Sequence, residues 1–474
     1  MKDKTIKINL LYNFMYQVLA IAVPIIITPY TSRVLGAEGV GKYAYACSIA
    51  YYFAIFIKLG LNNYGNRTIA MAAKNKRELS RCFWNIYATQ ITIGVFCIFA
   101  YVLYLLRTAR GDRVTYLFII YVFSYAVDIT WFFWGMEEFR LTVLRDALIK
   151  MISTACILGF VKESTDVWKY TLILTSSLLI SQLSLWPSLL KRVFIVRPSW
   201  LEIKKHIRPN LILFIPTIAV SIYKIMDKVM LGAVSGEVEV GYYESCEKIL
   251  NLPMAITNAL GTVMLPHMAG LYSEVGNRLV ERAGDLIRRS EQLAVLSSSL
   301  LCFGIMSVAE EFVPLFYGQG FEKCIILYKV LLPSCIFLAV ANVIKTQLLI
   351  PKKQDKEFII SLCAGVLMNL ITNLLLIPKL ASVGAAIGTL LAEAAVCIMQ
   401  VRIAGKQIPI LRYLKKCMPY ILIGVVMFLA SDHIQIKCGK GWFALAVKVL
   451  LCGMVWVGSG VVMLGIHWIK RLIQ

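Results

Sequence analysis

The chain has 474 residues, 59% of them hydrophobic, and a mean hydropathy of +0.72. Soluble domains hold about 45–50% apolar residues, so the composition excludes an ordinary soluble domain and points to a polytopic membrane protein. The formal charge of +22 would suit a nucleic-acid ligand, but where the charges sit argues against one.

Met1 to Lys7 is polar and runs into a full-length apolar stretch with no small-residue cleavage site, so no removable signal peptide is expected. A membrane span needs roughly 20 apolar residues. On that measure there are about fourteen spans, at 9–32, 43–61, 82–106, 116–134, 143–161, 170–190, 210–232, 241–269, 292–309, 325–349, 358–377, 383–400, 419–431 and 442–466. The expected fold is an all-α polytopic membrane protein.

Roughly thirty Lys and Arg fall in the amino terminus, the loops after even-numbered spans and the tail, against about eleven in the opposite set. Both termini are therefore expected on the cytoplasmic side of the plasma (inner) membrane. The excess positive charge serves topology and anionic lipid heads, not nucleic acid. The thirteen cysteines are scattered through apolar runs with no Cys-x-x-Cys, and the four histidines have no metal-ligand spacing, so no metal and no cofactor is expected.

The longest polar connector, KRVFIVRPSWLEIKKHIRP, mixes Phe194, Ile195, Trp200 and Ile203 with basic residues and is expected to lie on the membrane surface. The halves it joins look repeated. Leu35-Gly36 matches Leu231-Gly232, while Gly41 and Tyr43 match Gly241 and Tyr243 with extra residues in the second turn. Pro24 and Pro216 lie inside the two opening helices. The expected division is a six-helix lobe at 1–192, a cytoplasmic amphipathic linker at 193–208, a second six-helix lobe at 209–402 and two additional helices at 403–474. Repeats of this kind are a transporter design.

The most informative stretch is 211–250. Lys224, Asp227 and Lys228 share one helical face, and after a short turn, AVSGEVEV, so do Glu244, Glu247 and Lys248. A charge at the bilayer centre costs about 2.5–3.5 kcal/mol or more, so these stripes are expected to avoid lipid. Lys58 lies inside the second span and either meets a ligand or snorkels. Arg33 closes the first span as a rim ligand or an interface anchor. Asp128 and Glu393 sit inside spans four and twelve as coupling or structural carboxylates, with Asp128 alternatively holding Trp131 or Trp134 by its indole N–H. Asp227, Lys228, Glu244, Glu247 and Lys248 have a structural pairing as their alternative role. Glu137, Glu138 and Arg140 are expected to lock a loop, Lys345 and Lys448 to snorkel, and Glu310 and Glu311 to form an outer acidic rim.

The residues at 29–49 (PYTSRVLGAEGVGKYAYACSI), 56–70 (FIKLGLNNYGNRTIA), 128–146 (DITWFFWGMEEFRLTVLRD), 215–232, 240–249 and 369–393 resemble the bacterial oligosaccharide flippases of the multidrug/oligosaccharidyl-lipid/polysaccharide superfamily. The Trp-Phe-Phe-x-Gly-x-Glu-x-Phe run is the most specific of these. The resemblance implies two six-helix bundles around a central cavity plus two C-terminal helices. It also implies transport of an undecaprenyl-pyrophosphate-linked sugar repeat unit from the inner to the outer leaflet, with membrane lipids, a polysaccharide polymerase and glycosyltransferases as candidate partners. On that reading Lys58, Lys224, Lys228, Lys248 and Arg33 meet the pyrophosphate, since phosphate oxygens take charge-assisted hydrogen bonds. A lipid II flippase or a cation-coupled multidrug exporter is the alternative. An enzyme is not expected, because no outer loop is long enough to carry acid/base or metal-binding residues.

Overall fold

The computed structural model describes residues 2–108, 111–273, 277–433 and 441–473. Within these it describes the side chains of 23–461 except those at 215, 216, 219, 220, 222–224 and 277–280. The described residues contain helices and no strand. The chain divides into two compact units, 1–232 and 233–474.

The first unit opens with α1 (Lys2–Lys58), which is broken at Gly36, where φ is 67° and ψ 179°. That backbone position favours glycine. A second break follows at Leu59 (φ 45°) and Gly60, and the chain resumes as α2 (Leu61–Ala72). Next come α3 (Lys76–Thr108), α4 (Arg113–Ala126), α5 (Thr130–Gly135), α6 (Phe139–Phe160), α7 (Val167–Leu183), α8 (Trp186–Leu190) and α9 (Trp200–Ser235). Asp112 caps α4, accepting from Val114 N and Thr115 N, which satisfies two of the first-turn donors. On α3, Phe96, Phe99, Leu103 and Leu106 are exposed at helical spacing, the stripe a helix turns to lipid.

The Trp-Phe-Phe run is core. Trp131, Phe132 and Phe133 are fully buried, and Phe83 stacks on Trp131 with ring centroids 5.5 Å apart. A Cβ at Gly65 would meet the Trp131 ring at 2.7 Å, and one at Gly135 would meet Asn66 O at 2.7 Å. Small residues thus let α2 and α5 approach closely, which explains the motif without chemistry.

The second unit contains α10 (Glu237–Ser273), α11 (Asn277–Ser307), α12 (Ala309–Phe316), α13 (Lys323–Leu331), α14 (Ser334–Ile344), α15 (Asp355–Leu380), α16 (Ser382–Gly405), α17 (Ile410–Ser431) and α18 (Trp442–Ile473). α14 runs on through a π-helical turn at Lys345–Leu349. The apolar core gathers Ile287, Ala294, Val295, Ala339, Ile344, Leu348, Cys397 and Cys417 from α11, α14, α16, α17 and the π turn. The expected turn AVSGEVEV is in fact one residue, Gly236 at φ 90°. Helix α9 continues past Gly232 for another turn. The counterpart of the Gly36 break is therefore Gly236, and Gly36, Gly41 and Tyr43 correspond to Gly236, Gly241 and Tyr243 without extra residues.

Among the described residues, ten stretches are long and apolar enough to cross a membrane, or eleven if Glu281–Ser307 and Ala309–Phe316, bent by 75°, form one span. The chain is a multi-pass helical membrane protein, but a count of fourteen is not confirmed. The end of the first expected span, from 23, and the whole of the second fall in a single run at 23–72. Helix α6 carries Arg145, Asp146 and Lys150 within its apolar stretch.

The connector between α8 and α9 is irregular from 193 to 199 and is tied to α3. Phe194 N donates to Ser80 Oγ at 3.2 Å, Trp84 Nε1 to Phe194 O at 3.0 Å, and Ser199 N to Asn85 Oδ1 at 2.9 Å. Its remaining residues are already helical and form the start of α9. Ile195, Trp200 and Leu201 are exposed.

Candidate functional site

In the first unit, two backbone breaks frame one ion pair. The 58–60 break ends α1, and the 127–129 break separates α4 from α5. Lys58 Nζ forms a salt bridge with Asp128 Oδ2, with 14% and 6% of the two side chains exposed. Asp128 Oδ1 accepts from Thr130 N at 2.8 Å and Thr130 Oγ1 at 2.5 Å. Lys58 also donates to Asn62 Oδ1 at 3.2 Å and stands 5.7 Å from the Tyr125 ring centroid. An interrupted helix leaves carbonyls without partners, and Gln90 takes up this role here. Its Nε2 donates to Tyr125 O at 2.8 Å and Asp128 O at 2.9 Å, and its Oε1 accepts from Trp131 Nε1 at 3.0 Å. Trp186 Nε1 donates to Val127 O at 3.0 Å. The indole of Trp131 is thus held by Gln90, not by Asp128, and Lys58 reaches a buried carboxylate where snorkelling would have taken it to water.

The other candidates divide between the units. Arg33 is exposed on α1 just before the Gly36 break. Asp227 is buried and Lys228 half-buried on α9, within the first unit. Lys224 lies on the same helix, and its side chain is outside the described residues. In the second unit Lys248 stands 3.6 Å from Glu244 one turn away on α10, and Glu247 is half-buried. Glu393 is buried on α16, within electrostatic reach of Cys335 and Cys397. The structure brings Lys58 to Asp128 and Lys248 to Glu244. Among the described residues, no group of His, Cys, Asp and Glu is placed to hold a metal.

Several pairings differ from expectation. Glu138 makes a two-pronged contact with Arg192, at 2.8 and 2.5 Å, and so ties the α5–α6 turn to the connector. Lys448 is buried and donates to Glu311 at 2.6 Å instead of snorkelling, so Glu311 is more than a rim charge. Lys329 pairs with Glu310 at 3.2 Å. Tyr64 Oη lies 2.6 Å from His206 Nδ1 at the connector. Burial pushes the His206 imidazole below its ordinary range, with the Glu202 carboxylate opposing.

Three polar residues, Gln90 and Asn62 in the first unit and Glu291 in the second, were not visible as such. Gln90 is an uncharged amide inside the third expected span and Asn62 directly follows the second, and nothing in the string says which groups either one meets. Glu291 closes the charged run DLIRRSEQ, and the apolar count begins the ninth span after it. The structure puts it mid-helix on α11, fully buried, with no hydrogen-bond partner for either oxygen.

The fold and the buried charges define a multi-pass, all-helical membrane protein with the architecture of a transporter. Residues 6–271 match the polysaccharide biosynthesis protein family. The chain belongs to that family. It is 22% identical over 408 residues to a putative O-antigen transporter of Escherichia coli (strain K12), covering 82% of this chain and 94% of that one. It is 20% identical over 409 residues to a putative O-antigen transporter of Shigella dysenteriae, covering 84% and 99%. Its fold is similar to that of the lipid II flippase MurJ in an inward closed conformation, with a TM-score of 0.70, 14% identity and coverage of 98% and 100%. It is also similar to an inward-facing multidrug resistance MATE family transporter, with a TM-score of 0.55, 12% identity and coverage of 89% and 100%.

Proposed function

We propose that the protein is a flippase that moves a polyprenyl-pyrophosphate-linked oligosaccharide from the cytoplasmic to the outer leaflet of the plasma membrane, with both termini cytoplasmic. On this reading it works by alternating access, for assembly of a surface polysaccharide. It makes and breaks no covalent bond. Family membership and the O-antigen transporters among its relatives support this reading. The geometric observation that carries it is the Lys58–Asp128 pair at two helix breaks.

A lysine neutralised by one carboxylate is a conditional anion site. A pyrophosphate presents several charged oxygens and competes with Asp128 for the ammonium donors. Without substrate, the carboxylate prevents an uncompensated buried charge, which is costly. Arg33, Lys224, Lys228 and Lys248 are the further cations proposed to meet the head group. Asp227, Glu244 and Glu247 set their charge balance. The lobe boundaries at 192 and 402 belong to the same proposal.

The head group carries about two negative charges, and each charge crossing the whole field gains about 2.3 kcal/mol per 100 mV. Outward movement from a negative interior is therefore downhill. In proteoliposomes holding a lipid-linked oligosaccharide, flipping quickens when the donor side is made negative, with no pH or sodium gradient. A rate indifferent to voltage but dependent on an ion gradient rejects this drive and moves coupling to carboxylates such as Asp128 and Glu393. Equal transport of lipid II, or of a cationic drug in place of the oligosaccharide, overturns the substrate assignment.

A further inference from the structure

The second unit contains a carboxyl group that the transport reading does not use. Glu291 is fully buried on α11, and neither oxygen has a hydrogen-bond partner. Helix geometry puts it on one face with Ile287 four residues before and Ala294 and Val295 three and four residues after. All three belong to the apolar core, together with Cys397 of α16 and Cys417 of α17. The two thiols are within electrostatic reach of Glu291, and Cys397 is also within reach of Glu393. Tyr413 of α17 lies nearer the start of α11, with Asp285 and Arg288 within its electrostatic reach.

An ionised carboxylate in such a place, with no donor and no counter-charge, is strongly disfavoured. Neutralisation by a metal cation would need a cage of oxygen ligands, and among the described residues no group of His, Cys, Asp and Glu is placed to hold one. A proton needs no cage.

Arg288 supplies the other half of a switch. It lies three residues before Glu291 and three after Asp285. Its Nη2 is 2.9 Å from Asp285 Oδ1, and its Nε is buried without a partner. Asp285 is largely exposed, while Arg288 is less so and Glu291 not at all. The three residues therefore form a ladder from water into the core along one helix.

We propose that Glu291 is a proton-binding site of the second unit, loaded while Arg288 bonds to Asp285 and emptied when Arg288 turns to Glu291. On emptying, the O–H bond breaks and the proton passes to water at the Asp285 end. The arginine then pairs the carboxylate left behind. In the opposite step Arg288 returns to Asp285 and a proton from water neutralises Glu291. The site gives the carrier a protonic return step, whichever substrate it moves.

Infrared difference spectroscopy of the purified full chain in lipid vesicles tests this without substrate, so its outcome is independent of the flippase reading. Across a pH titration, the wild type shows a carboxylic-acid carbonyl band characteristic of an apolar site. Beyond its midpoint the band falls about tenfold per pH unit, with a carboxylate band rising. In Glu291→Gln the pair of bands is absent. In Glu291→Asp it is shifted but present, which covers the case where the glutamine variant is not recovered. In Arg288→Gln the acid band persists to higher pH, because the ionised form has lost its partner. The proposal is overturned if wild type and Glu291→Gln give the same spectra, if the aspartate variant leaves the band unmoved, if the wild-type band persists until unfolding, or if Arg288→Gln titrates as the wild type.

Discussion

Lys58 and Asp128 lie 70 positions apart, one at the end of a helix and the other in the gap between two, and their side chains form one buried salt bridge. The lysine terminates α1 where Leu59 turns to positive φ. The aspartate sits in the gap between α4 and α5, with Thr130 accounting for its second oxygen. The pair joins two helical runs at their breaks.

Removing one partner of a buried ion pair costs about 3–5 kcal/mol, because the other charge is left uncompensated. Lys58→Ala and Asp128→Ala should each lower the thermal unfolding midpoint in detergent, and Lys58→Ala/Asp128→Ala should be less destabilised than the sum of the two. Lys58→Arg should retain part of the transport rate and Lys58→Ala none of it. Additive stability losses, the signature of uncoupled sites, would show that the bridge is not formed in the membrane.

The topology proposal is tested by single cysteines in a background with silent native thiols. Cysteines at Glu237 and Lys379 should react with an impermeant thiol reagent added to intact cells. One at Asn75 should react only after permeabilisation. Labelling at Asn75 from outside inverts the orientation and, with it, the leaflet assignments.

Close helix contact in the second unit rests on small residues. A Cβ at Gly384 would lie 2.4 Å from Leu376 O, and one at Gly388 would lie 2.2 Å from Asn373 Oδ1. Backbone cannot move aside as a flexible side chain can. Gly384→Ala should therefore destabilise the unit by about 1–3 kcal/mol, in the range of overpacked cores, and reduce the yield of folded protein. An unchanged midpoint for Gly384→Ala would mean that α15 and α16 are not packed this closely.

His206 makes the connector acid-sensitive. Its folded-state pKa is depressed by burial, so its contribution is complete above the unfolded value of about 6.5 and is lost as pH falls through the folded value. The connector at 193–208 should become more susceptible to proteolysis in mild acid, and His206→Asn should flatten that dependence. Protection that falls with rising pH would contradict the sign.

The sequence by itself determined the class of protein and much of its detail. Apolar runs, loop charges and the Trp-Phe-Phe run are local features, set by the length of a span and the cost of charge in lipid. Membrane spanning, all-helical structure and family were therefore legible from residues 1–474 alone. The correspondence between the halves could be drawn in more than one way from the string alone. Gly232 and Gly236 are equally plausible turn residues in a string, and only the backbone shows that α9 runs on to Ser235 before φ turns positive at Gly236.

Tertiary structure decided the partners. Lys58 read as a lone cation because Asp128 belongs to another helix, and no spacing rule connects them. Asp128 read as a candidate partner for Trp131 or Trp134, three and six positions on, but Gln90 from α3 holds the Trp131 indole. Glu138 found Arg192 instead of the nearer Arg140, and Lys448 found Glu311. Glu291 read as the last charge before a span, since hydropathy along the chain registers where charges thin out and not which side of a helix they face. Its burial follows from the rotation of α11 against α14, α16 and α17, a quantity fixed by packing across the whole unit and present in no local stretch of sequence.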